Sequence, residues 1–393
     1  MKSVKLIENL ANLDKSTWDV VRFSDVAREV KDISRDPISE GIEKVIGLEH
    51  LAPLDIHIRT WGDIADGKTF TKKFSKGQIL FGRRRAYQRK AALANFDGIC
   101  SGDIIVMEAI KEKLEPRLLP FLVHSEGFCN CAVSTSAGSL SPRTKFKSLA
   151  EYEFRLPSME MQKKLAKLLW AVDETEENAL RVYNDTREYK ISYLENNLLD
   201  KKGKKILLGN IGEFVRGVGY KPEDLGLDDK DHIALLRANN LQDSEITLED
   251  LKFVHRKNVN EIQYLKTGDI VICMSNGSKE LVGKTAVFSE NGKDFCFGSF
   301  CGCFRVTDTK YSGIVKYLFQ TPSYRDQIKY LLSGSTINNL KPSDIESMSF
   351  NISEKNLEKA KTELQKIGSF EENQKKYLFG IRNLKQSLIN SIF

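Results

Sequence analysis

Residues 158–200, SMEMQKKLAKLLWAVDETEENALRVYNDTREYKISYLENNLLD, decide the fold of this chain. The stretch Pro157-Ser158-Met159-Glu160-Met161-Gln162 is a helix-start signal, with Ser158 as N-cap and Met161 opening an apolar pattern. Apolar or small residues then recur at heptad spacing: Leu165, Leu168, Val172, Thr175, Ala179, Val182, Thr186, Tyr189 and Tyr193. The other faces carry charge, at Lys163, Lys164, Asp173, Glu174, Glu176, Glu177, Arg181, Arg187 and Glu188, and no Gly or Pro interrupts before Gly203. An uninterrupted helix of this length is ~64 Å long. One narrow apolar stripe on so long a helix requires a second helix against it. Residues 353–393 repeat the pattern with Ala360, Leu364, Ile367, Phe370, Tyr377, Ile381, Leu384 and Leu388. Similar length and mirrored position predict an antiparallel pair.

After the first of these helices the chain repeats the order that precedes it. Gly77-Gln78-Ile79-Leu80-Phe81 is matched by Gly268-Asp269-Ile270-Val271-Ile272. The segment around Val45 is matched by Ile233–Leu241, the loop 136–143 by Ser333–Asn338, and Glu151–Phe154 by Ser347–Phe350. The period is far too long for a solenoid unit. The expected fold class is therefore α+β: two similar globular units separated by two long antiparallel helices, a pseudo-two-fold tandem repeat. The expected divisions are 1–157 and 204–352 for the globular units, with 158–203 and 353–393 for the helices. Residues 1–17 read as a lead-in, Val20–Ala27 as a strand or turn entering a short helix, and Leu118–Ser125 as a further helix.

Composition narrows the function classes. With 393 residues and 41% hydrophobic content, the chain supports two or three real cores. A net charge of +6, from 60 Lys and Arg against 54 Asp and Glu, means that a polyanion must be met by local patches. No apolar run approaches the ~18 residues of a membrane span, and Met1–Leu6 does not open a signal peptide. A cytoplasmic protein without membrane association is expected. The seven cysteines include two C-x-C pairs, Cys129/Cys131 and Cys301/Cys303, without zinc-site spacing. Reduced, buried thiols and no metal are expected.

Catalytic motifs do not accumulate. Gly277–Thr285 has five residues between its glycines where a phosphate loop needs four. Arg216-Gly217-Val218-Gly219-Tyr220 reads as a turn. The five histidines have no matched nucleophile or metal spacing, and no Gly-x-Ser-x-Gly elbow occurs. No Asn-Pro-Pro-aromatic run accompanies a Gly-rich motif, so S-adenosylmethionine is not expected on this chain. No catalytic residue is assigned.

What remains is a nucleic-acid signature. Arg83, Arg84, Arg85, Arg89 and Lys90, interleaved with Tyr87 and Gln88, follow a strand. Arg and Lys neutralise phosphates, and Arg and Gln read base edges in two-bond contacts. Arg143 and Lys145 adjoin a Gly-Ser loop. In the second half the equivalent loop is 274–279, with Ser275, Asn276 and Lys279, followed by Lys284. Arg237 and Asn239 stand where Gly47 and Glu49 stand in the first half. A shared frame with divergent loops is what two readers of different sequences require.

The duplicated layout resembles the specificity subunit of type I restriction–modification systems. The likeness extends over the whole chain and rests on residues 77–81 against 268–272, on Leu281–Phe288 and on the helix start at 157–162. The second helix start, Ser353-Glu354-Lys355-Asn356-Leu357, departs from the family's Leu-Pro-x-x-x-Glu-Gln pattern. The resemblance implies that each globular unit is a target-recognition domain for double-stranded DNA. It also implies that the helices space the two domains and dock two methyltransferase subunits, which hold the S-adenosylmethionine, with motor/nuclease subunits as a further partner. Candidate partner-binding positions on the helices are Leu165, Leu168, Val172, Val182, Tyr189, Ile367, Phe370, Tyr377, Ile381 and Leu384. The competing expectation is a two-domain coiled-coil scaffold without DNA specificity.

Overall fold

A computed structural model describes residues 14–65, 69–290, 294–334 and 337–393. Most of the lead-in and part of the loop 333–338 lie outside them. The chain divides into two compact units, one of residues up to 180 with 376–393, the other of residues 181–375.

In the first unit, β1 (Asp19–Arg22) enters a short helix, Phe23–Val26, followed by β2 (Ala27–Val30), β3 (Lys44–Ile46), β4 (Gly62–Asp63) and β5 (Lys72–Phe74). Next come β6 (Ile79–Gly82), β7 (Ala91–Leu93), β8 (Gly98–Cys100), β9 (Ile104–Ala109) and β10 (Glu153–Leu156). They form a central sheet ordered β2-β9-β6-β7, a second sheet ordered β4-β3-β8-β5, and the antiparallel pair β1-β10. Neighbours in the central sheet are all antiparallel, while β3 and β8 run parallel.

Strands β6 and β9 read as continuous apolar runs because the central sheet is covered on both faces. Ile79, Phe81, Ile105 and Met107 face one core, with Phe23, Phe121, Phe128 and the helix residues Leu165 and Leu169. Leu80, Ile104 and Val106 face the other, with Ile46, Leu51 and Phe74. Period-2 alternation thus sorts apolar residues between two cores instead of between core and water. Residues from the far end of the chain, Leu388, Ile389 and Ile392, complete the first core.

The second unit repeats this topology. Its strands are β11 (Leu199–Leu207), β12 (Gly212–Arg216), β13 (Leu225–Gly226), β14 (His232–Leu236), β15 (Leu241–Gln242) and β16 (Glu245–Ile246). They continue with β17 (Lys252–His255), β18 (Ile270–Cys273), β19 (Thr285–Val287), β20 (Phe295–Phe297), β21 (Cys301–Val306) and β22 (Ser349–Ile352). The central sheet is β12-β21-β18-β19, extended by β16-β15; the second is β13-β17-β14-β20, and β11 pairs with β22. The parallel pair recurs as β14 and β20. Register fixes the equivalence, since Gly82 faces Ile104 in the first unit and Cys273 faces Cys301 in the second.

One expected helix is different. Leu118–Ser125 contains only the short helix Leu119–Leu122, and the longer helix is Glu126–Ser134. Ser125 caps it by accepting from the Phe128 amide at 3.3 Å. Cys129 and Cys131 lie two residues apart on this helix, so their side chains diverge. Burial pushes the Cys129 thiol up to about 11 and the Cys301 thiol up to about 12. Among the described residues no group of three potential metal ligands forms, and no helix is long and apolar enough to cross a membrane.

The long helices are Met159–Asn197 and, after a 3-10 turn at Glu354–Asn356, Leu357–Ile392. Within each unit their segments run antiparallel. In the first, Asp173 meets Lys385 and Ala179 packs with Leu378 and Ile381; in the second, Lys190 meets Glu371. The buried stripe of the first helix is not the expected heptad. It runs Leu165, Leu169, Asp173, Glu176, Ala179, Thr186, Lys190, Leu194. Its mean step is the 3.6 residues of a straight α-helix, which drifts ~20° per heptad from a strict 3.5-residue seam. The drift leaves Val182 and Tyr189 outside and carries three charged residues inside.

Those charges are paired. Lys385 Nζ donates to Asp173 Oδ1 at 3.0 Å and also reaches Glu176. Arg382 Nε donates to Glu176 Oε1 at 2.9 Å. From the globular part of the same unit, His57 Nε2 donates to Asp173 Oδ2 at 2.9 Å, and Arg59 grips Glu177 with two bonds of 2.9 and 2.6 Å. The hydrogen bond to Asp173 holds the His57 pKa above its ordinary 6.5, against the opposing effect of burial. A raised folded pKa contributes stability below about pH 6.5 that is lost as pH rises through the folded value. The melting temperature of the wild type is therefore expected to fall between pH 6 and pH 9 by more than that of His57→Gln. Parallel melting curves for the two proteins in that window would exclude a charged His57–Asp173 pair.

Candidate nucleic-acid interface

The connection from β6 to β7 carries the arginine run. Arg85 and Arg89 flank a 3-10 turn, Ala86–Gln88, and both adopt left-handed backbone, at φ 54° and 52°. Such geometry costs a non-glycine residue about 1 kcal/mol or more and persists only when its surroundings impose it. The surroundings are specific. Ala86 is buried, the Arg83 amide donates to Asp103 O at 2.9 Å, and the Arg85 amide donates to Pro142 O at 2.8 Å. An antiparallel bridge joins Arg84 to Arg143, so the loops 83–90 and 136–143 form one surface.

The side chains fall into two groups. Arg83 Nε donates to Thr144 O at 3.1 Å, Arg84 to Ser141 Oγ at 3.1 Å, Arg89 to Glu126 at 2.6 Å and Lys90 Nζ to Leu48 O at 2.7 Å. Arg143 holds Asp103 with two bonds of 2.7 and 3.2 Å, and the Arg143 guanidinium keeps the Asp103 carboxyl below its ordinary range. Arg84 Nε is buried without a partner. Among the described residues, Arg85, Gln88, Lys145 and Tyr87, which is 58% exposed, make no side-chain hydrogen bond or ion pair. The first group shapes the surface and the second is free to meet a ligand.

The second unit builds the same junction from other residues. The bridge is Ser275 to Asn339, Asn276 N donates to Asn338 O at 3.3 Å, and Asn338 Nδ2 donates to Gly277 O at 3.1 Å. Cys273 N donates to Lys284 O at 2.8 Å, as Gly82 N does to Lys90 O, so Lys284 is the counterpart of Lys90. Lys279 is exposed at the loop tip. The glycine-rich run 277–285 leads through a 3-10 turn into β19, with no helix to receive a phosphate. Arg237 is tied to Asp250 by bonds of 2.8 Å to its carbonyl and carboxylate, and Asn239 Nδ2 lies 3.4 Å from the same carboxylate.

Two residues of this surface escape a sequence reading: Asp103 and Phe300. Asp103 sits in the turn before β9, the neighbour of β6, and Phe300 in the turn before β21, the neighbour of β18, and sequence spacing does not reveal either juxtaposition.

The helix positions also divide. Leu165 is 2% exposed, and Leu168, Val172 and Leu384 pack against the first unit's core. Ile381 is buried with Ala179 and Leu378. These five take part in packing within the first unit, Leu165 and Ile381 as buried residues and the other three half-buried. Val182, Tyr189, Phe370 and Tyr377 are exposed. In the second unit Val182, Tyr189, the half-buried Ile367 and Phe370 line an open groove of about 470 Å³.

Comparison with known proteins supplies a context for this geometry. A family model described as a type I restriction modification DNA specificity domain matches residues 15–182. The chain is 36% identical over 140 residues to the type I restriction enzyme EcoKI specificity subunit of Escherichia coli K12, covering 35% of this chain and 30% of that protein. It is 35% identical over 140 residues to the StySPI specificity subunit of Salmonella potsdam, with the same coverage. The aligned regions thus span less than a third of these relatives. At the level of fold, a type I restriction-modification system S subunit from M. genitalium superposes with a TM-score of 0.52 at 14% identity, over 97% of this chain and 98% of that one. A chain from a structural study of type I R-M complex assembly gives 0.51 at 16% identity, over 95% and 97%.

Proposed function

We propose, from the premise that residues 15–182 form a type I restriction modification DNA specificity domain, that the whole chain is a DNA-recognition subunit reading a split, asymmetric target. The observation that carries this reading is the repeated junction. Both units hold a hairpin loop against a second loop in the same register, with Arg84 and Arg143 in one and Ser275 and Asn339 in the other. Identical frames with different side chains suit two half-sites of different sequence. Phosphate contacts from Lys and Arg supply salt-dependent affinity, and loop side chains at base edges supply specificity. Arg85, Tyr87, Gln88, Lys145, Lys279 and Lys284 are the proposed contacts.

The chain itself performs no bond-making step in this proposal. Methyl transfer belongs to methyltransferase subunits carrying S-adenosylmethionine; the exposed Val182, Tyr189 and Phe370 with the half-buried Ile367 are the second unit's proposed contacts to them, and the exposed Tyr377 is the first unit's. A motor/nuclease subunit extends the same assembly to restriction, and a cytoplasmic location suits all of these roles. The test is a comparison of the host methylome with and without this gene. Loss of one motif, two short half-sites around a fixed gap, is the expected result. An unchanged methylome in a host that expresses the complex would turn the reading toward a scaffold without DNA specificity.

A further inference from the structure

The turn before β9 in the first unit and the turn before β21 in the second occupy the same place and carry opposite chemistry. In the first unit Arg83 N donates to Asp103 O; in the second, Met274 N donates to Phe300 O at 2.8 Å and Ser275 N to the same oxygen at 3.2 Å. Asp103 and Phe300 are therefore equivalent. Asp103 gathers the guanidinium groups of Arg143 and Arg84. Their three positions in the second unit are Phe300, Asn339 and Ser275, and the ion cluster is replaced by an aromatic ring that is 67% exposed. Beside the ring opens a cavity of about 330 Å³ lined by Tyr220, Arg237, Asn239, Asn276, Gly298 and Phe300.

A large apolar side chain held in water forgoes about 2 kcal/mol of burial in the free chain. Here it stands at the mouth of a cavity whose other walls carry two side-chain amides, on the loops already assigned to base reading. Amides are suited to the paired donor and acceptor of adenine in the major groove, and an apolar ring to the 5-methyl group of thymine. In the first unit the guanidinium groups at these positions are engaged by Asp103 and Ser141 and offer no comparable apolar contact. We propose that Phe300 is a specificity-determining residue of the second unit, contacting a thymine methyl group beside the cavity formed with Asn239 and Asn276. This rests on the reading of the chain as a DNA-recognition subunit.

The experiment uses the assembled methyltransferase complex and duplexes of the target taken from the methylome. Each thymine is replaced in turn by deoxyuridine, which lacks only the methyl group. One replacement is expected to weaken binding of the wild type about fivefold. The same replacement should be silent for Phe300→Ala and should keep its cost for Phe300→Leu, which retains an apolar contact. If no deoxyuridine duplex is discriminated, or the discriminated one costs Phe300→Ala as much as the wild type, the assignment is overturned. A methylome that does not depend on this gene overturns the recognition reading itself, and is recognised before any duplex is made.

Discussion

Alanine at Arg83, Arg84 and Arg85 together is expected to lower the affinity of the assembled complex for its target by about 100-fold or more at moderate salt. Each arginine that reads a base in two bonds contributes ~1–3 kcal/mol, and removing a cation from one phosphate reduces the salt slope by ~1. The three side chains do not contribute alike. Arg85 is free to bind, whereas Arg83 and Arg84 spend bonds on Thr144 and Ser141 and hold the second loop in place. Arg85→Ala alone should therefore weaken binding directly, about 10-fold or more, and leave the loop intact. Loss in the triple variant adds a misplaced loop to the missing charge. Assembly with methyltransferase subunits should be unchanged, since none of the three lies on a long helix. Titration at two salt concentrations, with sedimentation to follow assembly, measures both. Wild-type affinity in the triple variant would remove this loop from the interface.

Lys385→Met is expected to be strongly damaging although it lies outside the loops. Lys385 is 7% exposed and lies between the carboxylates of Asp173 and Glu176, themselves buried. Removing the cation leaves two like charges facing each other in a poorly solvated seam, where breaking an ion pair costs ~3–5 kcal/mol. His57 and Arg382 remain to compensate in part, so a loss near ~3 kcal/mol is expected, a fall of ~6–12 °C in melting temperature for a unit of this size. Combining Lys385→Met with Asp173→Asn and Glu176→Gln should recover most of it, because the cost comes from the uncompensated charges. A wild-type melt for the single variant would mean that the cluster is well solvated.

The duplication and the strands are legible in the sequence because turn residues punctuate short apolar runs: Lys76-Gly77 before β6, Asp97 before β8, and Thr267-Gly268 before β18. The helix Glu126–Ser134 is not, because Gly127, the cysteines and Ser134 are weak helix formers, and its stability comes from the Ser125 cap and the burial of Phe128. The seam between the long helices escapes for a different reason. A heptad template treats Asp173, Glu176 and Lys190 as solvent-facing by residue type, whereas position on a 3.6-residue helix places them inside with partners. In the interface, the arginine run announces itself by charge. Which arginines are free and which are structural depends on Thr144, Ser141, Asp103 and Glu126, all distant in sequence.

The first unit's core is finished by Leu388, Ile389 and Ile392, and this has a consequence for how the protein is made. During synthesis the amino-terminal unit emerges long before the residues that close its apolar interior. It must wait, incompletely packed, while the entire second unit is translated, so its folding is governed by a contact between distant parts of the polypeptide. Truncation before Leu388 would thus strike the first unit before the second. Any replacement of the first unit has to respect the same closure: the new segment can change its loops freely but must keep the surface that Leu388, Ile389 and Ile392 cover.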